Sequence, residues 1–374
     1  MKKELLATPP LPCALLALAA LLAAPLASAQ QTLVVGAGQP FSTIAAAIAA
    51  AAPGDTVLVT AGTYPELLDV DKGIRLIGQN AVLPYYPLLP VLEVHDLPPD
   101  QTFVMAGFAT GGSSTTATAV GVAARDCQGP VLLHDLQQGG LVRWSVGAAG
   151  CRQVHVDEVA LFSCNNTDST TVVERCTVDV TSFTGVIVNS GVLTLVDCQV
   201  SGGNGVGGSG VWALGGLLVA TRGQIRGTAA GPFASPAITS TGGEVLLDPS
   251  TVLLPSPGAV AVSGTTPTIV PFASLKTSDD GAALTVQAHG PVGLPFATLF
   301  SAPSAALPTP FGITWLDPMN ALVLNLDAFD ATTRLANATV PHPPLPPGTT
   351  LALQSLVFDG GELRLGLPSV VTMQ

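Results

Sequence analysis

The residues best placed to do chemistry are charged side chains that recur at matching positions of a repeat. Three segments, TVVERCTVDV (171–180), LTLVDCQVSG (193–202) and LVATRGQIRG (218–227), share apolar alternation, a charged residue, Cys or Gly, and an apolar residue two further on. Strand side chains alternate between faces, so if Cys176 and Val178 point inward, Arg175 and Thr177 point outward. Arg175, Asp197 and Arg222 then share one outward column, and Asp179, Ser201 and Arg226 share another. Carboxylates and guanidiniums gathered on one face could bind an acidic sugar; the alternative is an opposite-charge ladder on a solvated face. Tyr85 and Tyr86, between Pro84 and Pro87, are a second candidate: a loop tip able to stack on sugar rings, with Trp144 and Trp212 contributing from the coils. His95, His134, His155, His289 and His342 show no metal-binding spacing and no Ser/His/Asp order, so the expected metal count is zero and no cofactor is implied.

The elements that would position these groups follow from the same repeat. Cys127, Cys151, Cys176, Cys198 and Gly223 succeed one another at intervals of 24, 25, 22 and 25 residues, a period that with strands and Gly-rich turns indicates a solenoid. Alternation then predicts a single interior stack of Cys127, Cys151, Cys176 and Cys198, read as small polarizable core filler in preference to metal ligands or disulfides. Only 10% of the 374 residues are charged and 48% are hydrophobic, enough to bury a core and opposite to the disordered signature. Gly 40 and Pro 32 argue against a helical bundle.

Residues 1–29 read as a signal peptide: Lys2 and Lys3, an apolar run from Leu11 to Leu26, and Ala27-Ser28-Ala29 before Gln30. The expected mature protein is secreted, extracellular or at the cell surface. It retains 11 basic and 24 acidic residues, a balance that repels nucleic acid and anionic lipid. No later stretch reaches the ~18 apolar residues of a membrane span.

Ahead of the repeats, Ser42 and Thr43 precede an Ala-rich stretch to Ala52 that reads as a capped helix stopped by Pro53-Gly54, with strands over Val57–Thr60 and Ile74–Ile77. Such an element covers the open end of a solenoid. This opening, with P-G-D-T-V and G-x-Y, resembles right-handed parallel β-helix proteins of the pectin-lyase-like superfamily, specifically over residues 32–80 and more loosely to about 275. Gly62-Thr63-Tyr64-Pro65-Glu66 fits the G-x-Y-x-E of pectin methylesterases, but their Q-D-T and D-F-I-F-G motifs are missing. The match is therefore to the family's structural opening. Asp55 reads as a turn carboxylate. Lyases of the fold imply Ca²⁺ held by carboxylates beside an Arg or Lys, for which Arg175 and the Asp columns are the nearest fit. Hydrolases imply clustered aspartates. Asn166-Thr167-Asp168 matches the start of one such motif without its partners, and Asp279-Asp280 reads as a turn.

Residues about 283–374 show short strands at Ala283–Ala288, Gly312–Leu316, Ala321–Leu326, Thr350–Leu356 and Glu362–Leu367, the pattern of an antiparallel β-sandwich. GTTLALQSLVFDGGELRLGLPSVVTM resembles the close of a small β-domain that ends secreted bacterial repeat proteins. The expectation is thus an all-β chain: signal peptide 1–29, right-handed parallel β-helix with an N-terminal helical cap 30–275, and a small β-sandwich 276–374. Its expected role is a surface or matrix protein that binds extracellular polysaccharide, or other surface proteins in a structural capacity. The alternative is a lyase or glycoside hydrolase acting on a uronate polymer, and the sequence leaves open whether the protein is an enzyme. The residues expected to touch ligand are Arg175, Asp179, Asp197, Arg222, Arg226, Tyr85 and Tyr86.

Overall fold

A computed structural model describes residues 30–86, 89–111, 118–179, 185–203, 208–228, 234–343, 345 and 349–373. The expected signal peptide and Pro87 lie outside them. Everything below belongs to the compact unit Thr32–Gln374.

Parallel strands stack coil upon coil into two long sheets, forming a β-solenoid. Inward positions repeat the same apolar register, Val156 lying beside Val173, then Leu195, Ala220 and Leu247, all buried. The three aligned segments pair as their spacing requires: Thr171, Leu193 and Leu218 are successive partners, as are Asp179, Ser201 and Arg226. The last parallel strand is Thr268–Ile269, and antiparallel pairing starts with Ser274–Asp279.

The cysteines do not form one stack. Cys176 and Cys198 sit together at the corner leaving the first sheet, where Gln199 N donates to Cys176 O (2.9 Å) and Gln224 N to Cys198 O (2.8 Å), which brings Gly223 next in line. A Cβ on Gly223 would come within 2.6 Å of Cys198 O, so the position excludes a third cysteine. Cys127 and Cys151 sit at the opposite corner, where Arg152 N donates to Cys127 O (2.9 Å). The residue above Cys151 is Ser169, only 18 positions later, whose Oγ accepts from Cys151 N (2.9 Å). That short coil makes the apparent period from Cys151 to Cys176 cross from one corner to the other. All five cysteines in the described residues are unpaired and buried, and the four corner thiols donate to corner carbonyls, for example Cys176 Sγ to Glu174 O at 3.1 Å and Cys127 Sγ to Arg125 O at 3.3 Å.

Each corner turns on a residue in the left-handed region. Asp126 (φ 52°), Glu158 (φ 54°), Arg175 (φ 50°), Asp197 (φ 53°) and Arg222 (φ 54°) hold it without being glycine. That conformation costs a residue with a Cβ roughly 1–2 kcal/mol, least for Asp.

At the N-terminus the helix spans Ile44–Ala50, shorter than its Ala-rich stretch, with Thr43 as N-cap. Glu66 of the G-T-Y-P-E segment reaches back to it, accepting from Ile44 N (3.0 Å) and Ala45 N (2.9 Å), while Lys72 Nζ donates to Ile48 O and Ala51 O at the other end. Anion at the N-terminus and cation at the C-terminus match the helix dipole. The motif is thus helix-capping hardware. Asp55 accepts from Ala52 N (2.8 Å), a turn carboxylate as expected.

Past Ser274 two antiparallel sheets share a core of Leu275, Leu284 and Val286 against Phe296, Leu353 and Val357, with Phe296 stacked on Phe329 at 4.2 Å. Strands Pro295–Ser301, Leu335–Pro341 and Ser369–Thr372 join those expected. A two-stranded ribbon, Pro303–Thr309 with Gly312–Leu316, accompanies them.

Candidate functional site

The outer faces of the two long sheets differ. On the first, outward positions form two columns: Leu132, His155, Val172, Thr194; and His134, Asp157, Glu174, Val196. Leu132, Val172 and Val196 pack against Trp315, Leu316, Ala352 and Val370 of the C-terminal region, which covers this face. We call it the docked sheet.

The charged groups between those apolar contacts are buried and partnered. His134 Nδ1 lies 3.0 Å from Asp157 Oδ2, and His155 Nε2 lies 3.3 Å from Glu174 Oε2. Arg175 donates to Asp157, to Glu174 Oε1 (2.9 Å) and to Glu158 Oε1 (3.1 Å). Ser369 Oγ, from the C-terminal region, donates to the Glu174 carboxylate (2.9 Å), and the Trp315 ring meets His155 edge-on at 5.9 Å. Burial alone would lower the His134 pKa, but the hydrogen bond and charge of Asp157 outweigh it and hold it above the usual histidine value. Burial raises Asp157, opposed by His134 and Arg175. At Glu174 burial is overcome by the Arg175 charge and the His155 and Ser369 hydrogen bonds, and its pKa is lowered.

The expected column of Arg175, Asp197 and Arg222 therefore lies at the edge of this interface, not on an open face. The Arg175 and Arg222 side chains are only 11% and 10% exposed. Arg222 pairs with Asp197 at 2.8 Å and donates to Leu275 O across the junction (3.2 Å). Burial raises the Asp197 pKa and lowers that of Arg222. Each guanidinium offsets a carboxylate that would otherwise be stranded, and of the three residues Arg222 reaches across to the C-terminal region.

The second sheet, the open sheet, carries the other candidates. Its outward column runs Glu93, Ala123, Gly147, Asn165, Ile187, Trp212, Thr239. Beside it Gly121, Ser145 and Ser163 form a second row, with Ser145 Oγ 2.9 Å from Ser163 Oγ. Tyr85 and Tyr86 rise at one end, partly packed on the core. With Leu89, Pro90 and Phe162 they wall a shallow groove of about 540 Å³ over the small-residue floor. Asn189 Nδ2 donates to Asn165 Oδ1 and Thr167 Oγ1, both at 3.0 Å, leaving amide groups along the groove's continuation. Asp179 is half exposed and paired with Arg143 at 3.0 Å, and Arg226 is exposed. The structure thus keeps Asp179 and Arg226 in one column but sets them apart from Arg175, Asp197 and Arg222.

Trp144 is not a surface ring: it is fully buried, its Nε1 donating to Gln137 O (3.0 Å). Trp212 is 39% exposed on the open column. Asn166 of the N-T-D segment is buried and bonded to Ser169 O, Ser190 O and Thr171 Oγ1, and Asp280 closes a turn onto Ala282 N and Ala283 N. Sequence reasoning missed the His134–Asp157–Arg175–Glu174 network. Its signal was apolar residues, Leu132 and Val172, at outward positions interleaved with charged and imidazole side chains. It also missed the groove floor, visible as Gly, Ala and Ser at alternate positions of VGVAAR and VRWSVGAA.

No family model and no curated protein matches the chain. Among solved structures it shows a likeness to ChiW, a cell-surface-expressed multi-modular chitinase from Paenibacillus sp. str. FPU-7, at 12% identity and a TM-score of 0.21, over 92% of this chain. The chain spans 24% of the length of that chain, and a likeness so slight bears on neither fold nor activity.

Proposed function

We propose that the protein is an exported β-solenoid of the cell surface or matrix, related to the pectin-lyase-like superfamily, that binds polysaccharide on its open sheet. The observation that carries this reading is the groove walled by Tyr85, Tyr86, Leu89 and Phe162 above a floor of glycine, alanine and serine. Aromatic rings beside a flat strand floor suit pyranose faces, and the side-chain hydroxyls and amides beyond them suit sugar hydroxyls. A binding role is favoured over bond cleavage because Arg175 and Arg222, the arginines a uronate lyase would have used, neutralise buried carboxylates beneath the C-terminal region. Export rests on the first 29 residues. A mature N-terminus at Gln30 in the culture supernatant is expected, and retention of Met1 in the cytoplasm would refute it. A glycan array probed with the chain should give hits among extended polysaccharides; an array without hits would sink the binding role.

A further inference from the structure

We infer that the ligand is an uncharged polysaccharide lying along the solenoid axis, from the Tyr85–Tyr86 wall to Trp212. This rests on the polysaccharide-binding reading and narrows it. Three independent observations point the same way.

The first is charge. Among the residues lining the groove Arg125 alone is charged, and it pairs with Glu93 at 3.0 Å. Arg143, at the groove's flank, pairs with Asp179. Within the groove's described lining no unpaired cation is thus presented to a uronate, the exposed Arg226 lying outside that lining, and the chain as a whole carries a net charge of −12, which repels polyanions at a distance. Binding an anion here would require breaking an existing ion pair; binding hydroxyl groups would not.

The second is direction. Ala123, Gly147, Asn165, Ile187 and Trp212 are consecutive register partners on five strands, so the column crosses four strand spacings, about 19 Å. A chain following it meets a new coil at each step, with tyrosines at one end and an exposed indole at the other. The polar side groups along the path are amide or hydroxyl, Ser145, Ser163, Asn165 and Asn189, with the aliphatic Ile187 between Asn165 and Trp212. A ligand crossing the sheet at right angles would reach only one of the aromatic ends.

The third is vacancy on the floor. A Cβ built on Gly147 meets no atom within 4 Å, and its backbone is not left-handed, so nothing internal requires glycine there. A side chain at this point projects into the groove and nowhere else. Glycine at such a site keeps a close approach open to something outside the chain.

The test is affinity electrophoresis of the full chain in gels carrying neutral polymers (glucan, xylan, mannan) or anionic ones (polygalacturonate, alginate), at low and high salt. The expected result is retardation by a neutral polymer that salt leaves unchanged. Gly147→Phe should abolish it with the unfolding midpoint preserved, and Trp212→Ala should weaken it about tenfold, roughly 1.4 kcal/mol. Binding confined to anionic polymers and lost in salt overturns the inference while leaving polysaccharide binding intact. Neutral binding that survives both substitutions overturns the assigned path. Retardation by none of the polymers removes the ligand class and the binding role together.

Discussion

The two long sheets of the solenoid are built from the same backbone repeat and put to opposite uses. The docked sheet places His134, His155, Asp157 and Glu174 on its outer face, all buried, and seals them beneath the C-terminal region. The open sheet places glycine, alanine and serine outward and leaves them uncovered. In this solenoid the buried column of charge marks the fastened face, because buried ions must be matched while solvated ones such as Asp179 and Arg226 need not be. A column of unremarkable small residues marks the face kept clear.

That contrast is easiest to break at Arg175. Arg175→Met leaves Asp157 and Glu174 buried without their cation and should cost about 3–5 kcal/mol, whereas Arg226→Met on the open sheet should shift stability by no more than about 0.5 kcal/mol. Urea unfolding of both variants decides it; equal losses would mean the faces are not energetically distinct. The next effect is in pH. The folded His134 pKa is raised, so its contribution is fully present below the ordinary histidine value and is lost as pH rises through the raised one. Asp157 is raised and Glu174 lowered, so their contributions oppose each other on the acid side and the alkaline limb should be the clearer. A hydrogen bond to a charged partner is worth about 1.5–3 kcal/mol. A series of urea midpoints against pH should show that loss, and His134→Asn should flatten the limb. If the variant keeps the same slope, the pair does not fasten the docked face. The smallest effect sharpens the picture at the corners. Asp126 is exposed and holds φ 52°, so Asp126→Gly should raise the unfolding free energy by no more than about 1 kcal/mol, and a clear loss would show that its carboxylate, not its backbone, matters.

Much of the scaffold was legible because period-two alternation at a coil-length repeat has few other solutions. The register of residues 171–180, 193–202 and 218–227 follows from it directly, as do the capped helix after Thr43 and the turn carboxylates of Asp55 and Asp280. The single cysteine stack does not form for a definite reason: equal spacing is not equal position, because a coil of 18 residues from Cys151 to Ser169 lets Cys176 fall at the other corner. The site was legible only in part. Tyr85, Tyr86 and Trp212 face the open side, yet Arg175 and Arg222 could not be assigned to an interface, since their covering partners, Ser369 and Leu275, lie far along the chain. The strand Pro295–Ser301 went unseen because it is buried at most positions and alternates little.

The C-terminal region meets several coils in turn: it packs on Val104 and Leu132, on the fourth and fifth of the eleven strands in the docked sheet's order, and bonds to Glu174 on the seventh, Arg222 after the ninth and Asp248 after the tenth, the last through Arg334 at 3.2 Å. A stack whose coils touch only their neighbours can melt piecemeal. Splinted this way, the coils from Val104 to Asp248 should lose order in one cooperative event, and force applied to that stretch would be shared among its rungs instead of peeling away a single one.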